Sequence, residues 1–127
     1  MRMRFLGAAS AVLIGAVPAF AHHSFAMFDY NREIIITGSV KELQWTNPHI
    51  HLVVNAPDPK GVMAEFDIEG GTPGNLRRQG WSRDVVKPGD KISVVIRPLK
   101  NGDNGGQLIS AKRGDGTAIG GQAGGGD

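Results

Sequence analysis

Residues 32–44 read REIIITGSVKELQ, and the fold turns on how this run behaves. Ile34, Ile35, Ile36 and Thr37 are β-branched residues that suit a pleated, half-buried surface. In the second half, charged residues separate Val40 from Leu43. Gly38 stands between the two halves, and a glycine inside a strand marks a bulge or a sharp bend. A first strand that bends can serve both halves of a closed sheet, which is how a small five-stranded barrel is built.

The neighbouring residues extend the same pattern. Trp45-Thr46-Asn47-Pro48 is a turn, and residues 49–55 (HIHLVVN) form a second strand. The loop Pro57-Asp58-Pro59-Lys60-Gly61 has hairpin chemistry. Residues 62–69 (VMAEFDIE) alternate, with Met63, Glu65 and Asp67 opposite Val62, Ala64, Phe66 and Ile68. Thr72 is placed to cap a short helix within residues 72–86 whose first residue is Pro73, the favoured position for proline. Leu76, Trp81 and Val85 would face the body. A turn at residues 87–90 leads to a fourth strand at 91–98. A loop at 101–106 precedes a fifth strand at 107–112. The expectation is an all-β chain: a five-stranded OB-like barrel with one short helix between strands three and four. The alternative is a β-sandwich that uses the N-terminal segment as an extra strand.

The 127 residues allow one small domain and exclude a two-domain enzyme. The absence of cysteine excludes a disulfide scaffold, a thiolate zinc site and a cysteine nucleophile. The start of the chain has the three parts of a secretory signal peptide. Arg2 and Arg4 make it basic, residues 5–17 form an uncharged apolar stretch of 13 residues, and Ala19-Phe20-Ala21 is a cleavage site. A membrane span needs about 20 apolar residues, which this stretch does not supply. Residues 1–21 are therefore expected to be a Sec-type signal, giving a periplasmic protein with no membrane span after processing. Loss of Arg2 and Arg4 leaves 12 basic and 12 acidic side chains. A chain of zero net charge carries no electrostatic footprint for nucleic acid. Residues 22–113 are expected to be a single β-barrel domain. Residues 114–127 hold seven glycines and one branched aliphatic residue, Ile119, and read as a disordered tail.

The four histidines come as two pairs, His22-His23 and His49-x-His51. Cleavage after Ala21 makes His22 the first residue. Its α-amine and ring then close one chelate, and an imidazole from elsewhere completes a three-nitrogen T, a histidine brace. Copper(II) favours tetragonal nitrogen ligation and heads the divalent affinity order. His49 and His51, two apart on a strand, point to one face. His22, His23, His49 and His51 are thus the candidate metal ligands, copper is the candidate cofactor, and Met27 offers a nearby thioether. Among the carboxylates, Asp29 and Glu69 are the expected outer partners of the ligand histidines, with Glu65 and Asp67 as further options. Trp45, Asn47 and Trp81 are the candidate residues for a non-metal ligand, although packing explains Trp45 and Trp81 as well. No acid–base pair for hydrolysis is visible. The loop before the helix lacks the Lys-Ser/Thr ending of a phosphate loop, and no Gly-x-Ser-x-Gly elbow occurs.

His22-His23-Ser24-Phe25 with Phe28-Asp29, Gly38-Ser39-Val40-Lys41-Glu42 with Trp45-Thr46-Asn47-Pro48-His49, and Glu69-Gly70-Gly71 through Gly80-Trp81 to Lys87-Pro88-Gly89-Asp90 make a recognisable set. They resemble a family of small exported bacterial proteins known as domain of unknown function 6152. The resemblance covers nearly all of residues 22–113. It implies export and a compact β domain, and it supplies no activity. His51 stands where family members often carry another residue, so the resemblance gives that ligand no support. The copper expectation therefore rests on the histidines. It describes an exported metal-binding module, a chaperone, buffer or accessory factor, with a periplasmic redox or metal-handling protein as its partner. The alternative is a barrel that binds a non-metal ligand or a protein without catalysis. A brace-type oxidative enzyme is the remote third reading, because two Trp and one Tyr are little from which to build an aromatic substrate surface.

Overall fold

The computed structural model describes residues 25–121. A 3-10 turn (Phe25–Met27) is followed by β1 (Ile34–Gln44), β2 (His51–Pro57), β3 (Met63–Glu69), the helix α1 (Pro73–Arg78), β4 (Lys91–Pro98) and β5 (Gly105–Arg113). The strands close into a barrel in the order β1-β2-β3-β5-β4. The β3–β5 ladder is parallel and the other four are antiparallel. This is the five-stranded OB-like barrel, with its one short helix between β3 and β4. Among the described residues no helix is long and apolar enough to cross a membrane.

The closure depends on β1. Ile34–Ser39 pair with β4, and Ser39–Gln44 pair with β2. Gly38 sits at this change of partner, where a Cβ would lie 2.0 Å from the Asn55 carbonyl oxygen. The glycine permits the close approach of two backbones. The register irregularity itself falls further on, between Val40 and Glu42, so the bulge is at Lys41 and not at the glycine. Lys41 projects from it to an ion pair with Glu65, which raises the lysine pKa above its ordinary value through that hydrogen bond and charge.

The period-two pattern becomes the core. Leu52, Val54 and Ala56 of β2 are buried, as are Phe66 and Ile68 of β3 and Ile92, Val94 and Ile96 of β4. Between them lie the half-exposed residues of the outer face. α1 begins as its residues dictate. The Thr72 Oγ1 accepts a hydrogen bond from the Asn75 backbone N–H at 3.2 Å, and Pro73 follows the cap. Gly80, at φ +90°, then turns the chain out of the helix, so the helix spans six residues and Trp81 and Val85 lie beyond it. Leu76 and Trp81 are buried in the barrel's core cluster. Thr72→Ala is expected to cost about 1 kcal/mol by leaving an N-terminal N–H without its acceptor. A urea denaturation series checks this.

Several strand boundaries shift by one or two residues from the sequence reading, and two of the shifts have a clear backbone cause. β2 starts at His51, because Ile50 pairs with the Gly70–Gly71 backbone instead, through Ile50 N–H to the Gly71 oxygen (3.1 Å) and Gly70 N–H to the Ile50 oxygen (2.9 Å). β5 starts at Gly105, two residues inside the expected loop. A Cβ there would lie 2.3 Å from the Asp67 oxygen, and one at Gly106 would lie 2.2 Å from the Arg97 oxygen. The glycines serve as strand residues where neighbouring backbones crowd in.

The expected tail needs a correction. Residues 114–121 fold back onto the body, and 122–127 lie outside the described residues. Asp115 makes the reversal: its Oδ1 accepts from the Thr117 hydroxyl (2.7 Å) and the Thr117 N–H (2.9 Å). The hydroxyl bond first, then the backbone bond, holds the Asp115 carboxyl below its ordinary pKa. The Ile119 N–H donates to the Ala111 oxygen at 2.9 Å, and the Gly121 N–H to the Gln79 oxygen at 3.0 Å. Ile119 is 2% exposed. Counting glycines misses that one buried isoleucine, worth roughly 1.5–3 kcal/mol, can hold such a strap.

Candidate functional site

The alternation of β2 carries past its first residue. His49 and His51 are half-buried on either side of fully buried Ile50, so both rings lie on the outer face. β3 supplies the partners. His51 stands opposite Glu69, and Val53 opposite Asp67. The His49 Nδ1 lies 2.5 Å from a Glu69 carboxylate oxygen, and the His51 Nδ1 lies 2.7 Å from an Asp67 oxygen. Glu69 is the more enclosed carboxylate, its side chain 15% exposed against 65% for Asp67. With Nδ1–H donating to a carboxylate, each ring keeps the Nε2 lone pair free for a cation or a proton donor. The Thr46 hydroxyl donates to the His49 carbonyl at 3.4 Å and ties down the preceding turn.

The other expected site residues are elsewhere. His22 and His23 lie outside the described residues. Asp29 makes no hydrogen bond to His49 or His51: its Oδ1 accepts the Asn31 N–H at 3.0 Å, stabilising the turn before β1. Met27 is fixed beside β4, its carbonyl accepting the Lys100 N–H at 2.9 Å. Asn47 is exposed at the cis peptide before Pro48. Trp45 is no open platform, since it is 6% exposed and the Arg77 guanidinium lies over its ring at 5.6 Å. Trp81 is 2% exposed and belongs to the core, with Gly120 against its indole. A cleft of about 420 Å³ lined by Ile34, Ile36, Phe66 and Leu99 with Arg32 and Asp58 includes none of the expected site residues.

Among the described residues no group of three or more His, Asp or Glu is placed to hold a metal ion. The described chain therefore offers two oriented imidazoles. Sequence reasoning would group Arg77 with Arg78, Arg83 and Trp81 as a cationic-aromatic patch; it missed that Arg77 covers Trp45 instead, and it missed Gln107, which stands opposite Glu69 across the parallel ladder. Both depend on pairings between distant segments, for which a single sequence holds no local signal.

A family of unknown function (DUF6152) matches residues 10–109. The chain belongs to this family. The match runs from the apolar N-terminal stretch through the His22-His23 pair, the histidine face of β2 and β3, and α1 into β5. No curated protein and no solved structure matches the chain.

Proposed function

We propose that the protein is an exported periplasmic module that binds copper(II), with a chaperone, buffer or accessory role and no catalytic step of its own. Its partner would be a redox or metal-handling protein of the same compartment. The observation that carries this reading is the pair of imidazole–carboxylate bonds, His49 to Glu69 and His51 to Asp67. A carboxylate on Nδ1 fixes the tautomer and orientation of a ligating ring and raises its basicity. Two such rings on one sheet face are half of a tetragonal nitrogen site. The His22 amine and ring, exposed by cleavage after Ala21, would supply the rest, with His49 as the principal strand ligand and His23 or His51 as a substitute. Nitrogen donors without thiolate favour copper(II) among the divalent ions.

Protein recovered from the periplasm, with its first residue established by intact mass, is the material for the test. Titration with copper(II) is expected to show one ion per chain. Because the amine and imidazoles must be deprotonated to ligate, affinity is expected to fall steadily from about pH 8 to about pH 5. A mature chain starting at Ser24 or later, or the absence of any copper binding, would overturn the reading.

A further inference from the structure

β1 changes partners at Ser39, and the change leaves an edge behind it. The ladder with β4 runs from Ile34 to Ser39, but the ladder with β2 begins only at Ser39, opposite Asn55. The Val40 N–H donates to the Asp90 oxygen at 2.9 Å, on the β4 side. Bonding direction alternates along an antiparallel strand. Gly38, Ile36 and Ile34 therefore bond toward β4, and the main-chain N–H and C=O of Ile35 and Thr37 point the opposite way. The residue that would continue β2 opposite Thr37 is Pro57, which has no N–H to give. Among the described residues no strand pairs with this side of Ile34–Thr37.

Nothing in the sequence of this edge protects it. Natural edges are blunted by charge, proline or a bulge. Here the run is Ile-Ile-Ile-Thr, and the bulge lies beyond it at Lys41. Ile35 is 69% exposed on the outer face. The edge opens onto the cleft described above, whose lining includes Arg32 and Asp58. Arg32 precedes β1 and Asp58 follows Pro57, so the cation and the carboxylate flank opposite ends of the edge. Neither has an ion partner among the described residues.

We propose that the free edge of β1 pairs with the same edge of a second copy of the chain, antiparallel about a twofold axis at Ile34. Such an interface is isologous, so each end of one strand meets the opposite end of its mate. The Ile35 N–H and C=O then exchange bonds with the partner's Glu33, which stands opposite. The partner's Arg32 arrives level with Ile36, on the cleft side of the sheet and beside Asp58. The two Ile35 side chains become diagonal neighbours on the outer face, about 7–8 Å apart, and shield each other from water. A parallel copy would instead set Arg32 against Arg32, so charge selects the antiparallel arrangement. The association is independent of the copper reading.

The test uses the mature chain with a chelator present, so that no metal can bridge two copies. Sedimentation equilibrium is expected to show monomer and dimer in exchange, because a pairing of so few residues makes a small interface that dissociates on dilution. As concentration rises, solvent exchange of the Ile35 N–H is expected to slow more than that of Ile36, which is already bonded to β4. Ile35→Lys puts charge on the edge, and Arg32→Glu sets like charges together at Asp58. Each is expected to weaken the dimer at least about tenfold, with an unchanged thermal midpoint of the dilute monomer verifying the barrel. Asp58→Asn keeps the acceptor of the β2–β3 loop and removes the charge, and should also weaken the dimer. A chain that stays monomeric at about 1 mM overturns the proposal. So does a dimer that leaves Ile35 exchange unprotected, or one that survives both Ile35→Lys and Arg32→Glu, since it is joined elsewhere.

Discussion

Trp81→Ala is expected to lower the unfolding free energy by about 3–5 kcal/mol, the range for removing a large aromatic side chain from a core. Trp81 is among the largest fully buried side chains, and its backbone N–H donates to the Leu76 oxygen at 2.9 Å as the chain leaves α1. Its ring is covered by the returning C-terminal strap, with Gly120 so close that a Cβ would lie 2.6 Å from the indole Cδ1. Losing the ring would empty the space between helix and strap and loosen both. Trp81→Phe should cost less, because the indole Nε1 has no partner and its removal forfeits no bond. The urea midpoint and slope measure both variants. A loss under about 1 kcal/mol for alanine would show that the site collapses without the ring.

Placing one residue ahead of His22 is expected to weaken copper(II) binding by at least about a hundredfold, since losing only an outer partner of a ligand costs about 10–100-fold. The extension leaves every side chain in place and removes the free α-amine from its chelate with the His22 ring. His49→Ala should bring a loss of the same order by deleting the strand nitrogen. Glu69→Gln should fall within the smaller range, because it keeps the shape of the partner and removes the charge that orients His49. Lys60→Ala, on the exposed β2–β3 loop, serves as the control. Equal copper affinity in native and extended forms, measured by competition titration, would refute the terminal chelate.

Much of the barrel was legible because its signals are local. β4 matches the expected residues 91–98, where alternation is regular and Lys87-Pro88-Gly89-Asp90 fixes the entry. The Thr72 cap and Pro73 placed α1 correctly. The errors share one cause, which is contact between distant segments. Gly105 and Gly106 read as a loop until Asp67 and Arg97 stand against them. Ile119 reads as part of a polar tail until the core offers it a space. At the site, the spacing of His49 and His51 correctly put both rings on one face. Glu69 and Asp67, two of the four carboxylates singled out in the sequence, hydrogen-bond His49 and His51. Asp29 is taken up by the turn before β1, a local bond to Asn31 that its sequence position alone does not reveal. Trp45 reads as a candidate for ligand contact because the sequence does not reveal that Arg77 covers it.

The parallel ladder that closes the barrel is its shortest seam. It consists of three residue pairs, Asp67 with Gly105, Ile68 with Gly106 and Glu69 with Gln107, whereas β2 and β3 share seven. Two of its three β5 residues are glycines, which bring no side chains to the packing. Local opening concentrates where buried contacts are few, so the cylinder unzips most readily at this line, and amide hydrogens there would be the first of the barrel to exchange with solvent. The line also runs under Glu69, the carboxylate that holds His49. A ligand gripping His49 would steady Glu69 and, through it, this line. Occupancy of the site and integrity of the cylinder would then be a single equilibrium.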